Sequence, residues 1–201
     1  MHRLFVGIDP PFEVKDAVME IMGGIIGARW QSEEQLHITL RFLGERSPRE
    51  ANDIAECLSF VEARPVAMGF EDIGQFDRKG RTESLWLGVR PADDIRYLHK
   101  KVSRALEGLK IRPDTRSYLP HMTLARFSRG AGTLDHFMSR HGGFRIPPFM
   151  VTDFCLFESH LTADGAVYSI VERYEFAQGS LFEFDDPPGF RPPRNAEEWV
   201  A

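Results

Sequence analysis

Histidine and threonine alternate at two places in the chain, His37-Ile38-Thr39-Leu40 and His121-Met122-Thr123-Leu124. Successive side chains of a strand point to opposite faces, so His37 and Thr39 share one face, about 7 Å apart, while Ile38 and Leu40 take the other. His121 and Thr123 repeat the arrangement. The apolar partners belong to a core, so the polar pairs must face something else. If the two strands lie side by side, two imidazoles and two hydroxyls converge on one groove, a site for a tetrahedral anion. Phosphodiester cleavage needs a proton removed from the attacking oxygen and a proton given to the leaving oxygen, on opposite sides of phosphorus. With an unperturbed pKa of about 6.5, one imidazole can be neutral and the other charged near neutral pH, which carboxylates or lysines manage only with large shifts. The threonine hydroxyls can hold the non-bridging oxygens and stabilise charge in the transition state. This chemistry requires no metal and no cofactor.

A single motif of this kind arises often by chance, and a lone strand histidine is usually an ordinary hydrogen-bonded residue. Duplication changes the reading. Leu4-Phe5-Val6-Gly7-Ile8-Asp9-Pro10 returns 81 positions later as Leu85-Trp86-Leu87-Gly88-Val89-Arg90-Pro91, and the two His-x-Thr motifs stand 84 apart. Between them run helix-period segments, Val14 to Ile25 and Ile95 to Leu109, each with one apolar face. A second helix follows each motif. One opens with the capping-box pattern Ser47-Pro48-Arg49-Glu50, and the shorter one runs from about Thr133 to His141 and stops at Gly142-Gly143. Strands at about Val66 to Gln75 are expected to close the first half. Phe149 to Glu158 and Val167 to Phe176, a hairpin through Thr162-Ala163-Asp164-Gly165, are expected to close the second. The fold class is therefore α+β: two pseudo-symmetric lobes, each a small, mainly antiparallel sheet with helices on its outer face, and an active-site groove between the sheets. Residues 1–176 form one bilobal domain with its two motifs at 37–40 and 121–124. Residues 177–201, with Pro187-Pro188 and Pro192-Pro193 among charges, form an extended or disordered tail.

The segments Leu36-His37-Ile38-Thr39-Leu40-Arg41-Phe42-Leu43-Gly44-Glu45 and His121-Met122-Thr123-Leu124-Ala125-Arg126 resemble the 2H phosphoesterases, in particular their RNA 2′,3′-cyclic phosphodiesterase branch, also called the 2′-5′ RNA ligase or LigT-like branch. The resemblance covers about residues 1 to 176 and includes Arg3 to Ile8, Ser84 to Val89, and the Ser159, Leu161, Gly165, Tyr168 pattern. It implies hydrolysis of a terminal ribose 2′,3′-cyclic phosphate to a 2′-phosphomonoester, with reverse 2′-5′ joining in some relatives. Carried over by position, His37 and His121 are the acid-base pair, Thr39 and Thr123 bind the phosphate, and Arg126 contacts the phosphate or terminal nucleotide. His121 is taken as the base and His37 as the acid, although the near-symmetry allows either order. Strand parity points Arg126 away from His121 unless the strand bulges before it.

The remaining candidates have blander readings. His136 and His141 are five apart on a short helix and lack metal-ligand spacing. His99 beside Lys100 and Lys101 reads as part of a solvated helix face; His160 reads as exposed and His2 is terminal. Phe42 shares parity with Leu40 and so belongs to the core. The basic loop Asp77-Arg78-Lys79-Gly80-Arg81 suits either RNA phosphates or a solvated connection, and Arg112 and Arg116 are similar.

Composition narrows the partners. The 201 residues are 42% hydrophobic and 27% charged, with a formal charge of −5, which describes a soluble globular chain and disfavours coating of long nucleic acid by charge alone. No stretch approaches the roughly 18 apolar residues of a membrane span, so no membrane partner is expected. Cys57 and Cys155 are too few for a disulfide framework, which fits a reduced, cytoplasmic setting. The expected partners are RNA ends or nucleotides carrying a cyclic phosphate, bound by a monomer. Small cyclic nucleotides, 2′-5′ oligonucleotides, 3′-end trimming and a non-catalytic nucleotide- or RNA-binding module remain alternatives.

Overall fold

A computed structural model describes residues 1–109, 111, 117–128, 132–162 and 165–177. The strands are β1 (His2–Ile8), β2 (Arg29–Trp30), β3 (Ile38–Arg46), β4 (Val66–Arg78), β5 (Arg81–Arg90), β6 (His121–Arg126), β7 (Arg145–Val151), β8 (Asp153–Thr162) and β9 (Gly165–Glu175). The helices are α1 (Phe12–Met19), α2 (Pro48–Ser59), α3 (Asp93–Ala105) and α4 (Asp135–His141). All strand pairs are antiparallel, in the order β7-β4-β5-β6-β3-β1-β8-β9, with short β2 also paired to β6. The order is symmetric about the β6–β3 seam: the duplicated strands β5 and β1 flank β6 and β3, as the repeat predicts.

Alternation sets what each face does. Leu4, Val6 and Ile8 of β1, and Leu85, Leu87 and Val89 of β5, enter one apolar core shared by both halves. Phe5, Gly7, Trp86 and Gly88 take the other face. Helix α3 buries Ile95, Leu98 and Val102, and α2 buries Ile54 and Leu58. The Ser47 capping box forms as expected: Glu50 N–H donates to Ser47 Oγ at 3.3 Å, and Ser47 N–H donates to Glu50 Oε2 at 2.8 Å.

Three expectations about the elements need correction. The closing strands are exchanged between halves: β4 pairs with β5, and β8 pairs with β1. The cause lies at Lys79 and Gly80, whose φ of 51° and 72° make a tight hairpin of the kind that joins antiparallel neighbours, so β4 stays with the strand that follows it. The segment read as one strand from Phe149 to Glu158 is two, broken at Thr152. That single residue carries the chain from one end of the strand order to its other half, so the sheet curls into a half-barrel. Finally, α1 ends at Met19, short of Ile25; Ile21 and Ile25 are still buried, but from a loop that turns at Gly24 with φ 76°. The hairpin β8–β9 forms as expected, although residues 163–164 of its turn, like the tail beyond 177, lie outside the described residues.

The repeated glycines stand where chain segments approach closely. A Cβ on Gly7 would lie 2.9 Å from the Ile38 carbonyl oxygen, and one on Gly88 would lie 2.8 Å from that of Glu71. Backbone cannot move aside as a flexible side chain can. Gly7→Ala and Gly88→Ala are therefore expected to cost about 1–3 kcal/mol each, read in thermal unfolding as a Tm fall of about 2–4 °C per kcal/mol for a chain of this size. Gly23→Ala, where a Cβ meets nothing within 4 Å, should leave Tm nearly unchanged.

Candidate active site

The motif strands touch at one residue pair, Ile38 of β3 opposite Met122 of β6. On a regular antiparallel ladder this register sets His37 opposite Thr123 and Thr39 opposite His121. It makes the two histidines diagonal neighbours, about 7–8 Å apart and somewhat less between Cβ atoms. Ile38, Leu40, Met122 and Leu124 are at most 2% exposed, whereas both histidines and both threonines are half-buried on the other face. One strand pairing thus gathers the four side chains.

Each imidazole is held in the same way. Nδ1 of His37 lies 2.7 Å from the Gln35 carbonyl oxygen, and Nδ1 of His121 lies 2.7 Å from that of Leu119. A carbonyl can only accept, so Nδ1 carries the proton in both rings and Nε2 is left to gain or lose one. The Thr39 hydroxyl donates to Nε2 of His37 at 3.0 Å. Among the described residues nothing hydrogen-bonds Nε2 of His121.

Aromatic rings wall both histidines. Phe5, Tyr168 and Phe157 lie 4.8, 5.2 and 5.9 Å from the His37 ring centre, and Phe76 and Trp86 lie 5.0 and 6.0 Å from that of His121. Phe5 and Trp86 are the same repeat position. Burial disfavours the charged imidazolium and pushes His37 down to about 4 and His121 below the ordinary histidine value. The carbonyls of Gln35 and Leu119 oppose this. The charge of Arg126 lowers both rings further, the charge of His121 lowers His37, and the Asp9 carboxylate raises His37. Asp9 is itself held by Lys15 at 2.6 Å and Arg173 at 3.0 Å.

Arg126 reaches this face because β6 does bulge. Thr123 pairs with Trp86 and Ala125 with Leu85, so Leu124 is passed over; Leu124 and Ala125 are both buried and Arg126 emerges exposed. The same bulge occurs in β3, where Thr39 pairs with Gly7 and Arg41 with Val6, passing over Leu40. Leu40 and Arg41 are buried in succession and Phe42 turns outward, 61% exposed, which overturns its assignment to the core. Phe42 and Arg126 are 84 positions apart, so the repeat itself contained the signal that they share a face. Both line a cavity of about 460 Å³ with His37, Arg3, Arg29 and Tyr168. Its wall offers guanidinium groups to an anion and flat rings to a planar group. Thr39, His121 and Thr123 lie beside it along the β3–β6 seam.

Sequence reasoning missed Tyr118, whose hydroxyl donates to the Thr39 carbonyl at 3.0 Å and ties the lead-in of one motif to the backbone of the other. His99, expected on a solvated face, is half-buried and stacks on Tyr118 at 4.0 Å between ring centres. His136 is exposed, His141 packs at 4.8 Å on Phe137, and His160 is exposed with Glu158 Oε2 at 3.4 Å. Among the described residues no three His, Cys, Asp or Glu side chains gather as metal ligands, and no helix is long and apolar enough to cross a membrane. Arg112 and Arg116 lie outside the described residues.

Residues 27–162 match the family model of the 2′-5′ RNA ligase superfamily. The RNA 2′,3′-cyclic phosphodiesterase of Archaeoglobus fulgidus is 30% identical over 176 residues, 86% of this chain and 99% of that protein. The protein of the same name from Thermotoga maritima is 29% identical over 190 residues, 89% of this chain and 98% of its own. The solved structure of TT0787 of Thermus thermophilus superposes with a TM-score of 0.72 at 25% identity, covering 87% of this chain and 97% of that one. E. coli LigT complexed with 3′-AMP shares the fold, with a TM-score of 0.71 at 22% identity over 88% of this chain and 99% of its own. The chain therefore belongs to the 2′-5′ RNA ligase superfamily of 2H phosphoesterases, on the branch of its RNA 2′,3′-cyclic phosphodiesterases.

Proposed function

We propose that the chain hydrolyses an RNA-terminal ribose 2′,3′-cyclic phosphate to a 2′-phosphomonoester by general acid-base catalysis between His37 and His121. The observation that carries this reading is the matched pair of imidazoles, each with Nδ1 committed to a carbonyl and Nε2 left to exchange a proton, on strands that meet at Ile38 and Met122. The names of the relatives support the substrate class.

In this mechanism Nε2 of His121, which has no hydrogen bond among the described residues, removes a proton from water as the water oxygen attacks phosphorus. The bond from phosphorus to the ribose 3′ oxygen breaks, and the protonated Nε2 of His37 supplies the proton that this oxygen takes up. Burial makes the His37 imidazolium a strong acid, which suits that role. Once Nε2 of His37 is protonated it no longer accepts from Thr39, so the hydroxyls of Thr39 and Thr123 and the guanidinium of Arg126 hold the non-bridging oxygens, and the terminal nucleoside occupies the cavity beside Phe42 and Tyr168. With a 5′-hydroxyl end in place of water as the attacking group, the same pair joins RNA ends through a 2′-5′ bond as the ribose 3′ oxygen departs, and the reverse of that step cleaves the bond. The setting is the cytoplasm, consistent with the free thiols of Cys57 and Cys155.

Turnover of an RNA ending in the cyclic phosphate should persist in chelator, and His37→Ala and His121→Ala should each lower kcat by at least about 100-fold. Full activity in either variant contradicts the mechanism. A substrate with sulfur at the bridging 3′ position needs no acid to release it, so it should rescue His37→Ala and leave His121→Ala inactive; the opposite pattern reverses the roles.

The pH profiles should separate. In the free enzyme burial lowers both histidines, so the protonated acid is lost early as pH rises, and the alkaline limb of kcat/KM lies at low pH. A bound phosphodiester anion stabilises the imidazolium, raises its pKa and moves the alkaline limb of kcat to higher pH. Superimposable profiles contradict this coupling.

A further inference from the structure

The β4–β5 hairpin carries a second cationic surface that the two-histidine chemistry does not use. A cavity of about 480 Å³ is lined there by Arg78, Lys79, Arg81, Glu83, Phe127 and Ser128, with Thr82. Arg78 and Arg81 are direct cross-strand partners, and like charges so opposed destabilise a hairpin. Lys79 stands between them in a positive-φ position that asparagine or glycine fills more readily. The nearby acids do not neutralise the group. Asp77 accepts hydrogen bonds from Gln75 and Thr82, and Glu83 meets Arg78 at 3.6 Å between groups 53% and 72% exposed, where an ion pair contributes little. Folding alone does not call for this concentration of charge at a turn.

Its position relative to the candidate active site is fixed by the ladder. Ser84 of β5 lies opposite Arg126, and the Phe127 N–H donates to the Glu83 carbonyl at 2.9 Å. Arg126 lines the cavity that holds His37, and the next residues, Phe127 and Ser128, line the hairpin cavity. From Ser84, opposite Arg126, to Arg81 is three residues of strand, about 10 Å, and from Gly88, opposite His121, it is seven, about 23 Å. That is too far to touch the phosphate being hydrolysed and near enough to meet the phosphates that precede it in a chain.

We propose that the β4–β5 hairpin tip is an RNA-backbone subsite, in which Arg78, Lys79 and Arg81 hold phosphates upstream of the reacting one and give oligonucleotides an advantage over cyclic mononucleotides. The proposal rests on the diesterase reading above. Backbone phosphates are recognised mainly by charge, without reading bases, so the subsite confers chain-length preference and not sequence preference.

The test compares kcat/KM on a 2′,3′-cyclic mononucleotide and on a short oligoribonucleotide with the same end, using wild type and the triple variant Arg78→Gln, Lys79→Asn, Arg81→Gln. The variant should lose about 10-fold or more on the oligonucleotide, mostly in KM, and keep its rate on the mononucleotide within about two-fold. Its dependence of log kcat/KM on log salt should flatten by about 0.7 for each phosphate that the hairpin no longer neutralises. A charge-preserving pair, Arg78→Lys and Arg81→Lys, should retain most of the oligonucleotide advantage. A control that removes equal charge from the helices, Lys100→Gln, Arg104→Gln, Arg140→Gln, should behave as wild type. Equal oligonucleotide rates in wild type and triple variant, or an equal loss in the helix control, overturn the subsite. A wild type that hydrolyses neither substrate overturns the diesterase reading instead.

Discussion

Two antiparallel strands that meet at a single pair of residues bring the neighbours of that pair together on both faces. At Ile38 and Met122 the face turned inward is apolar on both strands and completes the core, which leaves the outward face to His37, Thr39, His121 and Thr123. The register admits no alternative without cost: a slip of either strand by one residue would turn its histidine and threonine into the core and its two large apolar side chains out of it. Burial of Ile38 and Met122 is therefore what aligns the four polar groups. Each imidazole then needs only a local device, the carbonyl two residues before it, to decide which nitrogen faces the groove.

Duplication explains why the site is balanced, and substitution within the duplicate explains why it has a direction. Both motif strands bulge one residue after their threonine, so the second residue beyond each bulge returns to the open face. In one half that residue is Phe42 and in the other Arg126. The aromatic walls differ likewise, with Phe5, Phe157 and Tyr168 about His37 and Phe76 and Trp86 about His121. Two equivalent imidazoles thus stand in unequal surroundings, His37 the more strongly depressed, and a ring and a guanidinium flank them at equivalent places. An asymmetric substrate, with a nucleoside on one side of its phosphorus and water on the other, matches such a groove.

Much of this is legible in the chain. Alternation alone assigns Leu4, Val6, Leu85 and Leu87 to the core and the His-x-Thr pairs to the opposite face, because the strand period is rigid wherever one side is buried. The failures come where that period breaks. Bulges leave no local mark, so simple parity sends Phe42 to the core and Arg126 away from the groove, yet comparison of the two repeats places both residues at one position. Pairing partners are harder still. Nothing in Val66 to Gln75 says which half it joins; the tight turn at Lys79-Gly80 decides it, and in the sequence that turn has only the look of a basic loop. The break at Thr152 is hidden because the apolar residues on either side serve one shared core. Tyr118 escapes notice because its hydrogen bond spans 79 positions and depends on the tertiary fold alone.

The central claim is that the duplicated strands set two imidazoles about one phosphorus atom, and a crystal structure with a bound ribonucleoside 2′-monophosphate tests it most directly. The account predicts Nε2 of His37 and Nε2 of His121 each within about 2.6–3.2 Å of a different oxygen of the phosphate site, on opposite sides of phosphorus. A phosphate that touches only one of the two rings, or that binds away from the β3–β6 seam, contradicts it.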